Sequence, residues 1–582
     1  MPTTAEQPTQ PVAQAPEPVT EGQNLRHLVG WGRFGLRLLG AVASGLLLSA
    51  AFPPVEFALF AWIALVPILL VPPPPGVARR LALGYVFGFA FTLTTFFWLN
   101  EIGFGAGVLM ALIVACFPML WYVSFNALLD AWREERDDAN PTPGLGGLRR
   151  PGRQIGAVLL GAASWVALEW IRSWIFTGFP WNFLGIALWQ STALLRLCAF
   201  TGVYGLSFLI VAVNLALAAR THDFRRAWRD GRRAGYSWPF VAVALLFLPV
   251  LAMRWTVSPL PDPDRVLRVL AVQGNIPQCR EWTDEEFEGS LEIYTSLTRD
   301  LAPTAQVDLV VWPETAVPAP LGYPPYWNAV RELQTYTKIP LLLGTVDHRE
   351  APSPEVNSEE PASLTFNSAI LLDAEAKVLD HYDKIHRVPF GEYVPFSHYL
   401  PWLVELIGMG RDLTPGTEFT ILHLRHGVRA GVNICFEDAF SEISRSFAQR
   451  GANVLVTITN DAWYGESSGA RQHLLQAVFR AAETRLPLLR AGNNSETCLI
   501  LPNGTITDPL RDPDTGSPFY RGGGVYEVPV WDNPPTTFHT RHGDLFAILC
   551  AIAAAIAGVL LFSRMCASRR ALRIARLGDE AA

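Results

Sequence analysis

Apolar and polar positions follow two regimes along the 582-residue chain. From about residue 36 to 255, long apolar runs are separated by short polar loops, and one more such run lies near 545–563. The runs fall near 36–52, 57–72, 81–99, 105–127, 154–171, 193–219, 237–255 and 545–563. Each is long enough, or nearly so, to cross a hydrocarbon core of ~30 Å at ~1.5 Å per residue of helix. A membrane domain of about eight transmembrane helices is therefore expected. The second run is the shortest and passes into prolines beyond Val71.

The second regime occupies 258–542. Short β-rich runs at Leu267–Gln273, Asp308–Trp312, Pro340–Thr345, Ala369–Leu372 and Val454–Thr459 alternate with amphipathic patterns at Glu285–Leu301, Tyr326–Thr337, Ala439–Arg450 and Ala470–Arg485. That alternation predicts an α/β domain around a sheet. Residues 350–363 read as an exposed insertion. The Pro-, Thr- and Gln-rich stretch 1–24 reads as a disordered tail. The expected organisation is a tail (1–24), a seven-helix membrane unit (25–257), a catalytic α/β unit (258–542), a last membrane helix (543–564) and a polar tail (565–582).

Charge placement orients this plan. Arg26 and Arg33, Arg79 and Arg80, Arg133 to Arg153, Arg225 to Arg233 and Arg564 to Arg576 fall on alternate sides of successive apolar runs. The intervening loops around 53–56, 100–104 and 173–192 hold no Arg or Lys. The positive-inside rule puts both termini in the cytoplasm and 258–542 on the extracytoplasmic side. Half of the residues are hydrophobic and 17% are charged, which excludes an ordinary soluble protein. A net charge of −7 argues against nucleic acid as a partner. Seven cysteines form no CxxC pair, so neither a zinc site nor a disulfide framework is indicated, and no metal or cofactor is expected.

Candidate chemistry gathers where strands end. Cys435 closes the strand Arg429–Ile434, and Glu437 follows two residues on. Glu314 lies just past the proline that stops Val310-Val311-Trp312-Pro313. Lys384 and Glu392 share the loop Asp383–Pro395, and only three of the 46 basic residues are lysines. Strand-to-loop junctions are the usual address of reactive groups on an α/β scaffold. A carboxylate can take the proton of a thiol, and an ammonium can favour the thiolate and then an oxyanion. The Phe436 N–H is a candidate second oxyanion donor. Taken alone, Cys435 also fits an ordinary buried cysteine.

Trp312-Pro313-Glu314-Thr315-Ala316, Lys384 with Phe390-Gly391-Glu392-Tyr393-Val394-Pro395, and Cys435-Phe436-Glu437 resemble, in that order, the nitrilase superfamily. With the apolar runs, Gly178-Phe179-Pro180-Trp181 and Asn460-Asp461-Ala462-Trp463-Tyr464-Gly465, the chain resembles its membrane-embedded branch, the bacterial apolipoprotein N-acyltransferases. The resemblance implies an αββα sandwich for 258–542, and Glu314, Lys384 and Cys435 as a triad. It implies Glu392 and Glu437 as supporting acids, Trp282 as a cleft residue, and Phe436 and Trp463 as further supporting or substrate-contact positions. Three places depart from the family pattern: Phe436 for a common tyrosine, Cys279-Arg280-Glu281-Trp282, and Arg490 to Glu496. The implied reaction moves an acyl chain from the sn-1 ester of a phospholipid, phosphatidylethanolamine in the family, to Cys435. It then passes to the N-terminal amine of a diacylglyceryl-cysteine lipoprotein.

Two other classes compete. A membrane-tethered nitrilase-type amidohydrolase would use the same triad but needs fewer spans. A transporter or receptor would scatter polar residues along several spans, and few are present. Ser397–Gly410 is unusually apolar and reads as an arm dipping into the bilayer, or as a loop packed on its own core. Glu169, Arg172 and Glu101 lie near outer span ends, where ionisable groups often serve function, although Glu169 and Arg172 can also neutralise each other at i, i+3. His381 and His473 show no metal-ligand spacing and read as ordinary hydrogen-bonding residues.

Overall fold

The computed structural model describes residues 21–132, 144–256, 260–278, 283–350, 363–399, 401–402 and 412–579. The expected insertion falls almost wholly outside these residues, as does the tail up to residue 20. The first regime folds as α1 (Glu21–Ser49), α2 (Val77–Thr95), α3 (Ala106–Val114), α4 (Cys116–Trp132), α5 (Pro151–Trp174), α6 (Tyr204–Arg229) and α7 (Trp238–Thr256). Thus the last four positions of the expected tail are the first turn of α1.

Among the described residues, five stretches are long and apolar enough to cross a membrane: Val77–Glu101, Ala106–Trp132, Pro151–Trp174, Tyr204–Arg229 and Leu545–Arg564. Ala58–Leu70, Thr192–Thr201 and Trp238–Met253 are shorter apolar pieces. The run at 57–72 is two short turns, Ala58–Trp62 and Val66–Leu70. The run at 193–219 starts as two single turns, Thr192–Leu195 and Cys198–Thr201. It becomes one helix only from Tyr204, after Gly202 at φ 62°. Hydropathy sums over such breaks, because a turn costs the average nothing.

The second regime builds two six-stranded sheets. One has the order β12-β1-β2-β3-β4-β5, the other β11-β10-β9-β8-β7-β6. The strands are β1 (Arg265–Gln273), β2 (Leu309–Val311), β3 (Leu341–Glu350), β4 (Ser363–Leu372), β5 (Val378–Asp383), β6 (Leu422–His423), β7 (Arg429–Ile434), β8 (Val454–Thr459), β9 (Leu488–Gly492), β10 (Cys498–Ile500), β11 (Ile506–Thr507) and β12 (Gly522–Val530). Each sheet has three parallel strands at its centre, β1-β2-β3 and β7-β8-β9, with antiparallel strands outside them. The parallel strands β2, β8 and β9 are buried at every position, as expected of strands covered on both faces.

The sheets face each other through β1 with β9 and β4 with β7. Helices α8 (Asp284–Ala305) and α9 (Pro324–Thr337) cover the first sheet. Helices α10 (Ser441–Gln449) and α11 (Ser468–Thr484) cover the second. This is the expected αββα sandwich. Helix α8 starts where Thr283 Oγ accepts from Glu286 N and Glu286 Oε2 accepts from Thr283 N, a reciprocal cap. The chain then leaves through α12 (Leu545–Asp579).

The sandwich sits on the helical unit through α11. Gln472 is fully buried, and its Oε1 accepts from Trp98 Nε1 (2.9 Å), Trp181 Nε1 (3.1 Å) and Asn182 Nδ2 (2.8 Å). Its Nε2 donates to Pro53 O (3.2 Å) and Thr95 O (3.0 Å). Arg471 donates to Glu56 (2.9 Å), and Glu483 Oε1 accepts from Val203 N (3.0 Å). The loop that carries Trp181 turns at Gly178, φ 80°, where an added Cβ would stand 2.2 Å from Ser173 O.

Replacing Gln472 by Leu strands two indole N–H groups, an amide and two carbonyls in a dry seam. At about 1–3 kcal/mol for each unsatisfied buried group, Gln472→Leu is expected to cost several kcal/mol. Thermal unfolding in detergent and proteolysis between the two units read the loss. A melting temperature within a degree of wild type would contradict it.

Candidate active site

Three strand ends and one long loop converge at the sandwich edge facing the helices. Strand β7 delivers Cys435 into a tight turn, Cys435–Ala439, with Cys435 itself at φ 54°. A non-glycine residue in the left-handed region is strained, and such strain clusters at reactive positions. Glu437 holds the turn. Its Oε2 accepts from Ile434 N (2.8 Å). Its Oε1 accepts from Tyr382 Oη (2.9 Å), Ile385 N (2.7 Å) and His386 N (3.1 Å). Glu437 therefore ties the cysteine turn to the Lys384 loop. Burial pushes its carboxyl up, while these hydrogen bonds and the Lys384 charge pull it down, to a net value of about 7.

Glu314 follows β2. Its Oε1 accepts from Asn367 Nδ2 (2.8 Å) and Lys384 Nζ (3.3 Å), and its Oε2 from Asn460 N (2.9 Å). Asn460 directly follows β8, and β8 pairs in register with β7, Ile458 opposite Ile434. Close approach at this point needs Gly344, where an added Cβ would lie 2.5 Å from Glu314 Cα. Glu392 Oε1 accepts from Lys384 Nζ (2.9 Å) and Asn367 Nδ2 (2.9 Å), and its Oε2 from Val388 N (2.8 Å). Lys384 thus lies buried between two carboxylates. Burial alone would lower its pKa; Glu392, then Glu314, raise it well above the ordinary lysine value.

The Cys435 thiol is buried, and its pKa stands well above that of an ordinary thiol. Burial is the main cause and the Glu314 charge adds to it; Lys384 and a hydrogen bond with Thr459 pull the other way. The resting group is a neutral thiol within electrostatic reach of both Glu314 and Lys384. The arrangement suits proton transfer to a carboxylate during attack rather than a standing thiolate.

Several neighbours were not singled out by sequence reasoning. Asn367, on β4, donates to both carboxylates and fixes their spacing. Beneath the nucleophile lies a fully buried charged cluster. His473 Nδ1 bonds Asp461 Oδ1 (2.7 Å), and its Nε2 faces the Cys435 carbonyl (3.2 Å). Asp438 Oδ1 is an ion-pair contact 3.0 Å from Nε2, off the hydrogen-bond axis. Arg490 pairs with Asp438 (2.9 Å) and Asp461 (2.7 Å). Arg490, one of the departures from the family pattern, is thus a core ion-pair residue. His473, expected in a hydrogen-bonding role, makes these two hydrogen bonds and also faces two carboxylates. Cys435, Asp461 and His473 offer ligand atoms within 4.8 Å of one another. With both ring nitrogens committed, they read as an ion-pair cluster rather than a ligand set.

The Phe436 ring stacks on Trp181 (5.9 Å, 23°) and meets Phe440 edge-on (5.1 Å). Trp181 packs in turn on Trp98 (5.6 Å), and Tyr464 meets Trp98 edge-on (4.7 Å). An aromatic wall of Trp98 and Trp181 from the helical unit, with Tyr464 of the sandwich, therefore closes one side of the cysteine turn. Trp463 is half-exposed at the rim, and Trp282 lies outside the described residues.

The cluster sets a pH dependence. Burial would lower the His473 pKa; Asp438, then Asp461, raise it, to about 9 from an ordinary value near 6.5. A raised folded value means the stabilisation is complete below about pH 6.5 and is lost as pH rises through about 9, on the order of 3 kcal/mol in all. Thermal unfolding of wild type should therefore weaken between pH 6.5 and 9.5. His473→Asn should flatten that slope while lowering stability at pH 6.5. Equal slopes in the two proteins would rule out His473 as the titrating group.

Comparison with known proteins follows the same two-part division. Residues 44–216 match the family model of the apolipoprotein N-acyltransferase N-terminal domain, and residues 268–515 that of carbon-nitrogen hydrolase. The apolipoprotein N-acyltransferase of Geobacter metallireducens is 34% identical over 533 residues, covering 90% of this chain and 95% of that protein. That of Brucella melitensis biotype 1 is 30% identical, covering 92% and 97%. Among solved structures, Nit3 of Saccharomyces cerevisiae, a nitrilase-superfamily member, matches 47% of this chain and 93% of its own, with 17% identity and a TM-score of 0.33. With relatives at this identity along nearly their whole length, the chain belongs to the apolipoprotein N-acyltransferase family.

Proposed function

We propose that this protein is a membrane acyltransferase that moves an acyl chain from a phospholipid, through a Cys435 thioester, to the N-terminal amine of a lipoprotein. In the first half, Glu314 takes the thiol proton as sulfur attacks the sn-1 ester carbonyl. Lys384 stabilises the oxyanion, with the Phe436 N–H as second donor. Collapse expels the lysophospholipid alkoxide, which recovers the proton from Glu314. In the second half, the α-amine of a diacylglyceryl-cysteine attacks the thioester and Glu314 takes its proton; collapse breaks the C–S bond, leaves the N-acyl amide, and the departing Cys435 thiolate recovers the proton from Glu314. Glu392 and Glu437 hold the lysine and the cysteine turn. Trp463, half-exposed at the rim, faces the substrate approach. No cofactor enters either half, and phosphatidylethanolamine is the donor headgroup we favour.

One observation carries this reading over the amidohydrolase: the residue after the proposed nucleophile packs on a tryptophan of the loop that follows α5 in the helical unit, Phe436 on Trp181 at 5.9 Å. A soluble amide would gain nothing from that wall. An amine that must outcompete water for a thioester gains a dry pocket. We place 258–542 in the periplasm, with the membrane unit formed by 25–257 and 543–564, about eight spans in all, and both termini in the cytoplasm. The arginine asymmetry of the loops supports that orientation.

Membranes incubated with an acyl-labelled phospholipid should yield a hydroxylamine-sensitive label on the protein. The label should vanish in Cys435→Ala and fall at least about 10³-fold in rate in Glu314→Gln, as expected for groups that act as a unit. Normal acylation of a diacyl lipoprotein by Cys435→Ala would end the thioester mechanism.

The apolar loop after Glu392 is part of the same reading. Tyr399 and Trp402 are exposed, as an arm that enters the bilayer requires; residues 403–411 lie outside the described residues. Trp402→Asp is expected to lower turnover on bilayer-borne phospholipid about tenfold, the scale of burying one charge in place of an aromatic at the interface. Full turnover by folded Trp402→Asp would remove the arm from the mechanism.

A further inference from the structure

A second polar site lies in the helical unit, and the acyl-transfer chemistry above does not use it. Arg172, in the last turn of α5, is buried at 7% exposure. Among the described residues its guanidinium has no hydrogen-bond or salt-bridge partner, and its close contact is the face of Phe183, 4.9 Å from Cζ. Glu169, one turn earlier, does not engage it directly. Glu169 Oε1 instead accepts from Trp165 Nε1 (2.8 Å) and Leu184 N (2.7 Å). The pair expected to neutralise itself is therefore not in contact, and the arginine keeps its donors free.

These donors line a narrow cleft between α2, α4 and α5, with about 30 Å³ of water-accessible space. Phe91, Phe117, Trp121 and Trp165 form its apolar walls, and Asn182 forms part of its floor. Asn182 Oδ1 is buried and has no hydrogen-bond partner, while its Nδ2 is held by Gln472 Oε1 at 2.8 Å. The cleft thus presents an unpaired guanidinium, an unpaired amide oxygen and the unpaired Oε2 of Glu169. A buried, unpaired cation is strongly unfavourable, so the site is built for an anion. A planar fork of N–H groups suits a phosphate, which accepts two of them at once.

Depth selects the source of that phosphate. Trp174 and Phe176, just beyond Arg172, are exposed at 54% and 80%. Exposed aromatics at a span end mark the membrane–water interface, so the guanidinium sits at the level of lipid headgroups and glycerol. The cleft also meets the nucleophile's wall: Asn182 lines it, and the adjacent Trp181 stacks on Phe436.

We propose that the cleft binds the phosphodiester of the acyl-donor phospholipid, with Arg172 on the phosphate oxygens and Asn182 Oδ1 accepting from an N–H or O–H of the headgroup. This rests on the acyl-transfer reading above and adds a residue that recognises the donor. The donor is then selected by its phosphate, and a neutral diglyceride is refused although its ester is the same.

The test uses full-length protein in uncharged detergent micelles. Its probes are a dialkyl-ether phosphatidylethanolamine, which cannot be cleaved, a dialkyl-ether glycerol without phosphate, and inorganic phosphate. Wild type should bind the ether phospholipid about tenfold to a hundredfold more tightly than the ether glycerol, the range for a charge-assisted contact. Arg172→Gln should erase that margin, and Arg172→Lys should keep part of it. Equal affinity of wild type for the two ether lipids overturns the proposal whatever the variants' folding, and so does an intact margin in Arg172→Gln. Strong competition by inorganic phosphate without lipid preference assigns the site to free phosphate and overturns the lipid reading. Acyl label on Cys435, read on the same preparation, separates the two ideas. Label without lipid preference removes only the headgroup site, and preference without label removes only the transfer mechanism.

Discussion

Gln472 has to satisfy two bodies at once, and the rest of the structure depends on that. A polar helix, α11, is buried along nearly its whole length between a sheet and a group of membrane helices. Any group it carries must find a partner, because a stranded polar atom in that seam would go unsolvated. Gln472 solves the problem toward the helices, gathering two indoles, an amide and two carbonyls. His473, the next residue, is turned about 100° around the helix and solves it toward the sheet, reaching the carbonyl of Cys435. Adjacent positions on one helix thus fix both the docking of the two units and the seat of the nucleophile.

That seat has an electrostatic consequence. Glu314, Glu392, Glu437, Asp438 and Asp461 contribute five carboxyl groups around the cysteine turn, against three cationic side chains, Lys384, His473 and Arg490. Burial first, and then the Glu314 charge, hold the thiol pKa high, because a thiolate would add a further negative charge in a dry place. Sulfur can attack only as its proton leaves for an acceptor already at hand. In the proposed reaction Glu314 would be that acceptor: its Oε2 is pinned by Asn460 N, and its Oε1 shares Lys384 with Glu392. As a proton arrived on Glu314, Lys384 would lose one of its two partners, just when an oxyanion would need a cation.

The reactive residues were legible because they sit where strands stop. Proline after Trp312 and the apolar run into Cys435 mark such stops in the sequence, and strand ends point side chains to one sheet edge. The supporting polar residues were not legible, for a different reason. Asn367 lies inside a strand and Gln472 and His473 inside an amphipathic helix, where a polar side chain normally marks the solvent face. Only the second layer, a membrane unit covering that face, turns them into buried residues, and the layer is hundreds of positions away in the chain. The boundaries of the apolar runs follow the same logic. Apolar content at 57–72 and 193–219 reads as continuous, whereas turns at Ile63–Leu65 and Gly202 break the helices there into pieces. Hydropathy records where a residue is at home and carries no record of backbone direction.

The aromatic seam joins these strands of argument. Trp98, Trp181, Phe436 and Tyr464 come from four separate segments, and none is adjacent in sequence to another unit's wall. Indoles suit this place because each presents an apolar face to the thiol side and one N–H to Gln472. A purely aliphatic wall would exclude water equally well but would leave Gln472 and the backbone it holds without donors. The same residues therefore dock the units, keep the nucleophile dry and face the route by which a lipid ester must arrive. A phenylalanine at 436 fits that arrangement: packed against Trp181, its ring needs no hydrogen bond, and a phenolic hydroxyl there would require a partner in the seam.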